Sequence, residues 1–397
     1  MNNNRRNFIK KCGLSAFPFL LATDALQASP SLKIKTGEQD KNANPVNFIY
    51  DGLVFSPERY IEKLIEINTQ QKIERDFYGA GGATALLENE FAKLTGKEKA
   101  IYLPTGTMAN QLAIKLLNEN NTKVIVPENS HVFRDEADAA QSVYGKRLIP
   151  IGKGKPYFDL NDLKEAIIYT IDSEVFKSGL GTIVIENPIR RADGKVVPIE
   201  VIREISDYCR QNGYRLHLDG ARIHLACAFT KLSLTEYASY FDTVYISLYK
   251  YLNAAGGAIL CGSEKIIGQI PHQIKIYGGT VYQTWGNTTM ALHYLENITE
   301  RWEKVTQTAQ SLITELNKIK GVTITNVEKG TNIYNLKFDT AINVKELAIF
   351  FQTKYNILLG RINKEGIIKF TINESILNRD ISDIVHAWKE GIEKMST

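Results

Sequence analysis

An acid and a lysine close two successive apolar runs in this chain. Asp219 ends Arg215-Leu216-His217-Leu218-Asp219, and Lys250 follows Thr243-Val244-Tyr245-Ile246-Ser247-Leu248-Tyr249. Small residues come next, Ala254-Ala255-Gly256-Gly257-Ala258. A lysine amine can form a Schiff base with an aldehyde. A carboxylate beside it can pair with a pyridine nitrogen and keep that nitrogen protonated. Together they suit pyridoxal phosphate, whose ring then withdraws electrons from a substrate carbon. Either residue alone says little, because strand-end aspartates are commonly turn residues and lysines are commonly solvated charges. Their conjunction points to amino-acid chemistry.

Two further positions fit the same cofactor. Pro104-Thr105-Gly106-Thr107-Met108-Ala109-Asn110 joins a short apolar run to a helical pattern. Gly106 lets the backbone approach closely, first-turn amides can hold an anion, and the Thr107 hydroxyl adds a hydrogen bond, so this segment suits the phosphate. His131 follows the run Val124-Ile125-Val126-Pro127. An imidazole there can lie flat over the cofactor ring and assist proton transfer.

The elements that must position these residues alternate. Leu86 to Leu94, Met108 to Leu117 and Ile199 to Gln211 have helical spacing. Ala100 to Pro104, Val124 to Pro127, Thr182 to Asn187 and the Asp219 and Lys250 runs read as short strands. Such alternation predicts βαβ units, giving an α/β fold with a mostly parallel central sheet and helices on both faces. Ligands of these sheets bind beyond the carboxyl ends of the strands, where Gly106, His131, Glu186, Asp219 and Lys250 fall. The texture changes past about residue 290. A long helical stretch from Met290 to Lys318 precedes short strands near Val322, Ile333, Ile357 and Ile367, with helices near Val344 and Ile381. The expected division is a leader over 1–28, a linker over 29–46, a large cofactor-binding domain over 47–290 and a small C-terminal α+β domain over 291–397.

Composition excludes several classes. The chain has 397 residues, 44% hydrophobic and 23% charged, the balance of a globular protein. Its net charge is +4, and Arg5, Arg6, Lys10 and Lys11 against Asp24 put most of that in the first 28 residues. The remainder is nearly neutral, which gives no case for nucleic acid or a membrane surface. Asn4-Arg5-Arg6-Asn7-Phe8-Ile9-Lys10 resembles a twin-arginine export signal, and the apolar stretch after it is too short and broken to span a bilayer. The expected location is periplasmic. Cys12, Cys209, Cys227 and Cys261 show no CxxC spacing, so neither a disulfide framework nor a metal site is expected.

The strings Tyr78-Gly79, Leu94-Thr95-Gly96-Lys97-Glu98, Pro104 to Gln111, His131 with Glu136, Glu186-Asn187 and His217-Leu218-Asp219-Gly220-Ala221-Arg222-Ile223 together resemble the threonine aldolase / β-eliminating lyase family. The resemblance runs in order over roughly 47–397. It implies the aspartate-aminotransferase-like, type I fold of pyridoxal phosphate enzymes. It also implies Lys250 as the Schiff-base lysine, Asp219 as the pyridine partner, His131 on the ring, Gly106 and Thr107 at the phosphate, and Arg222 near the cofactor oxygen and the substrate carboxylate. A homodimer or homotetramer is implied, with Tyr282 reaching toward a neighbouring site.

The departures concern the substrate side. Where the family has Thr-His-Asn after Glu-Asn, this chain has Pro188-Ile189-Arg190-Arg191. Tyr282 stands where a phosphate-linked arginine is usual, and Tyr249 where serine precedes the lysine. Lys369 replaces a carboxylate-gripping arginine. Lysine offers a point charge rather than a planar fork, so Arg361 or Arg190 is the candidate compensator. The expected activity is cleavage of the Cα–Cβ bond of a β-hydroxy amino acid. β-Elimination, racemisation, transamination and non-catalytic cofactor binding are the alternatives.

Overall fold

The computed structural model describes residues 45–395. The proposed leader and nearly all of the linker lie outside these residues. A seven-stranded sheet carries the site. Its strands are β2 (Lys99–Leu103), β3 (Lys123–Pro127), β4 (Arg147–Ile151), β5 (Leu180–Glu186), β6 (Arg215–Asp219), β7 (Thr243–Ser247) and β8 (Ala258–Gly262), in the spatial order β2-β8-β7-β6-β5-β3-β4. Five strands, β4 to β7 through β3, run parallel, while β8 is antiparallel to both β7 and β2. The mostly parallel sheet expected from the sequence is therefore present.

Strands covered on both faces need apolar residues on both faces. β3, β5, β7 and β8 meet this rule, with every residue buried. The covering helices show the complementary pattern. In Ile199–Gln211, the buried side chains are Ile202, Ile205, Ser206 and Cys209, which recur at one face of a 3.6-residue period. Helix Gly82–Thr95 stops at Gly96, whose φ of 65° supplies the left-handed closing residue.

A second sheet, of order β12-β10-β9, is built from β9 (Val322–Asn326), β10 (Ile333–Phe338) and β12 (Ile368–Thr371), all antiparallel. It packs with helices Val344–Tyr355 and Ile381–Met395 around Phe351, Phe370 and Trp388. The single helical stretch expected from Met290 to Lys318 is instead two helices, Trp285–Leu295 and Ile298–Leu316. Asn297 separates them in the left-handed conformation at φ 53°, which no helix can continue through. One pairing has no local sequence signal. β1 (Val46–Asn47) lies parallel to β11 (Ile357–Leu358), so the first described residues join the C-terminal part of the chain.

Candidate active site

The carboxyl ends of the parallel strands bring the expected residues together. Glu186 at the end of β5 and Asp219 at the end of β6 are register partners. Asp219 is in turn opposite Tyr245 of β7. Lys250 follows β7 in a turn closed by Leu248 N–H to the Gly257 carbonyl at 3.1 Å. Lys250 and Asp219 are both buried, at 6% and 1% exposure. The loop before the first helix presses on this turn. A Cβ on Gly52 would stand 2.1 Å from the Lys250 carbonyl oxygen, so only glycine fits there.

The lysine environment is tuned for an uncharged amine. Burial and then the nearby Arg222 charge push the Lys250 pKa down to about 8, against the opposing pull of Asp219, Asp51 and Glu186. Arg222 is itself clamped by Asp51, with Nε and Nη2 donating at 2.9 and 2.7 Å. Burial opposes ionisation of Asp51, but the Arg222 charge and hydrogen bonds outweigh it and lower the carboxyl pKa. The Tyr251 hydroxyl also donates to Asp51. Tyr249, half exposed, puts its ring 5.5 Å from Lys250 Nζ.

Asp219 is fixed at both oxygens. Ala221 N–H donates to Oδ1 at 3.2 Å and Asn110 Nδ2 donates to Oδ2 at 3.1 Å. The second Asn110 hydrogen reaches Glu136 Oε1 at 2.8 Å, and the same oxygen is 3.1 Å from His131 Nδ1. Burial works against protonation of His131. Its hydrogen bond to Glu136 and the Asp219 and Glu136 charges prevail and raise its pKa. Glu186 receives the backbone N–H groups of His131 and Arg190 at 2.7 and 2.9 Å. Burial, then the Asp219 charge, still lift the Glu186 pKa to about 7.

Gly106 opens helix Gly106–Asn118, with Thr105 as its cap accepting from Met108 N–H. A Cβ at Gly106 would fall 1.9 Å from the Tyr245 hydroxyl, so only glycine fits at this turn. Thr107 lies in the first turn of the same helix.

Lys369 on β12 donates to Asp193 and Asn335 at 2.7 and 2.9 Å. Arg361 is exposed in the turn between β11 and β12. Tyr282 packs its ring edge-on to Phe77 and Tyr78, centroids 5.8 and 5.2 Å apart, on an exposed patch. Among the described residues, no hydrogen bond joins its side chain to the Lys250 cluster. Sequence reading assigned no role to Asp51 or Asn110. Asp51 lies in a loop without a motif. Asn110 sits inside the Pro-Thr-Gly-Thr string, one helical turn past Gly106, where its burial could have been suspected.

The donor set fits pyridoxal phosphate. A buried lysine with a depressed pKa, a carboxylate held at both oxygens, a half-buried imidazole and a helix N-terminus behind a glycine are the groups such a cofactor needs. Among the described residues, the Ser247 hydroxyl, buried three positions before Lys250, has no hydrogen-bond partner. Lys250 would hold the aldehyde carbon, Asp219 the pyridine nitrogen, and Gly106 with Thr107 the phosphate. Among the described residues, no cluster of metal-ligating side chains occurs, and no helix is long and apolar enough to cross a membrane.

Comparison with known proteins agrees with this geometry. The chain is 34% identical over 221 residues to the low-specificity L-threonine aldolase of Candida albicans, covering 55% of this chain and 58% of that protein. It is 36% identical over 203 residues to the alanine racemase TOXG of Cochliobolus carbonum, covering 50% and 51%. The chain thus spans little more than half the length of these relatives. The structure of a threonine aldolase from Leishmania major superposes with a TM-score of 0.67 at 18% identity, covering 89% of this chain and all of that one. The fold is therefore that of the type I pyridoxal phosphate enzymes. The beta-eliminating lyase family model matches residues 61–339, most of the chain, and this protein belongs to that family.

Proposed function

We propose that this protein is a pyridoxal phosphate-dependent carbon–carbon lyase that cleaves the Cα–Cβ bond of a β-hydroxy amino acid. The observation that carries the reading is the placement of Lys250 and Asp219 at adjacent strand ends, facing the His131–Glu136 pair. Bound there, pyridoxal phosphate supplies an electron sink for the pair of electrons released when the bond breaks. The remaining steps fall to the chain. Lys250, its pKa pushed down to about 8, has an uncharged fraction at neutral pH, the form that would hold the cofactor aldehyde. Asp219, immobilised by Ala221 and Asn110, would hold the ring nitrogen and keep it protonated. His131 donates through Nδ1 to Glu136, which leaves Nε2 to take the proton of the β-hydroxyl.

The α-carboxylate is assigned to Arg222 and Arg190. Arg190 lies within electrostatic reach of Arg222, Asp51 and Glu186 at the mouth of the site, and its side chain is only partly exposed. Lys369, engaged by Asp193 and Asn335, has a lesser role. The test is to load the purified protein with pyridoxal phosphate and supply a panel of β-hydroxy amino acids, threonine included. Aldehyde and glycine should form, and Lys250→Ala should abolish both. A panel yielding neither product would end the aldolase reading.

The similarity to an alanine racemase favours racemisation as the second reading. Chiral analysis of alanine incubated with the loaded protein separates the two.

We further propose a homodimer and export by the twin-arginine route. The exposed rings of Phe77, Tyr78 and Tyr282, beside an apolar groove lined by Ile61, Leu64, Ile65 and Trp285, support a second copy covering this face. Arg5-Arg6 supports the export route. Light scattering and cell fractionation test these two proposals.

A further inference from the structure

Behind Asp219 lies a chain of buried polar groups that touches no solvent. His217 and Asp219 are two residues apart on β6, so their side chains share one face of the sheet. His217 is directly opposite Thr243 in the β6–β7 register, and its Nδ1 is 2.8 Å from the Thr243 hydroxyl. Its Nε2 is 3.0 Å from Asn110 Oδ1. Thr243, His217 and Asn110 are each fully buried.

The proton positions follow from the ends of this chain. Both hydrogens of the Asn110 amide point at carboxylates, Asp219 and Glu136. Asn110 Oδ1 must then be the acceptor toward His217, so His217 carries its proton on Nε2. Its Nδ1 is left to accept from the Thr243 hydroxyl. Burial pushes the His217 pKa down to about 4, so the ring is neutral.

We propose that Asn110, oriented by the Nε2–H tautomer of His217, is the positioning residue that locks the Asp219 and Glu136 carboxylates together, so that the ring-nitrogen partner and the His131 partner of the cofactor are set as one unit. This rests on the cofactor reading above but not on which amino acid reacts. An amide can do this and a hydroxyl cannot, because two donors must diverge from one nitrogen while the oxygen faces away. Without that amide, Asp219 keeps only the Ala221 N–H and its plane is free to turn.

The experiment uses two readouts on the full chain. The first is the dissociation constant of pyridoxal phosphate, with the pH midpoint of the visible absorbance of the loaded protein. The second is the 15N spectrum of His217 in the cofactor-free protein, which reports the tautomer without any cofactor. Asn110→Ala should weaken cofactor binding on the order of tenfold and move the absorbance midpoint. His217→Phe should do the same while keeping the core filled. His217→Gln should behave like the parent, since its amide nitrogen can stand where Nε2 stood. A merely structural role would lower the melting temperature in all three and leave the midpoint in place. Should Asn110→Ala fail to fold, the two His217 variants decide. Equal behaviour of Phe and Gln, or a proton found on Nδ1, overturns the proposal. A protein that binds no pyridoxal phosphate sinks the function above, and the tautomer still judges the network.

Discussion

The guanidinium of Arg222 and the carboxylate of Asp51 meet through two parallel bonds, although 171 residues separate them. Arg222 belongs to the string after Asp219, and Asp51 to the first loop after β1. The pair holds a cation beside Lys250 while compensating most of its charge. Asp51→Asn should leave Arg222 undercompensated, lower the Lys250 pKa further and shift the acid limb of activity to lower pH. The stability cost is roughly 2 kcal/mol, discounted because Asp51 is partly solvated. Denaturant unfolding and a pH–rate profile measure the two effects.

Glu186 gives a stability prediction with a definite sign. Its pKa is about 7 in the folded chain against an ordinary value of 4.5. Between those values the folded state binds more protons than the unfolded one, so this group makes stability fall as pH rises from about 4.5 to 7. Glu186→Gln should flatten that part of the stability curve, by on the order of 2–3 kcal/mol. Chemical denaturation of the cofactor-free protein at several pH values checks it, and a curve of unchanged slope would show that the carboxyl ionises normally.

Gly106→Ala places a methyl group on the Tyr245 hydroxyl. Helix or ring must shift, at about 1–3 kcal/mol. Because the same turn faces the proposed phosphate position, cofactor affinity should fall as well. Tyr245→Phe removes the nearest atom, so the double variant should recover part of the lost stability. Thermal melts of the four proteins give the answer.

Arg190 and Lys369 make opposite predictions for the substrate carboxylate. Arg190→Ala should raise KM about tenfold or more with a smaller change in kcat, because loss of a charge-assisted contact removes ground-state binding. Lys369→Ala should change KM much less and act on stability through Asp193 and Asn335. Reversed effects would return the carboxylate to the position that family resemblance assigns.

Much of this site was legible because its residues stand at strand ends. Asp219 and Lys250 close apolar runs that cannot continue with a charge, and Gly106 breaks a strand into a helix. Such transitions are local, and the parallel sheet then gathers them at one edge. What escaped reading depends on long-range contact. Asp51 reaches Arg222 from another part of the chain, and no spacing rule links a first-loop acid to β6. Asn110 is an ordinary polar residue in a helical run until burial shows that both carboxylates converge on it. The break at Asn297 was missed because both flanking segments have good helical spacing, and a single left-handed asparagine carries almost no composition signal.

The two-residue pairing of Val46–Asn47 with Ile357–Leu358 has a mechanical result. The strand that leans on Ile357 runs, within four residues, into Asp51 and then Gly52, and Gly52 rests on the backbone of Lys250. A shift of β11 would therefore tug on the loop that holds Arg222 and Lys250. The opening residues of the described chain act as a tether, linking β11 to the backbone of Lys250.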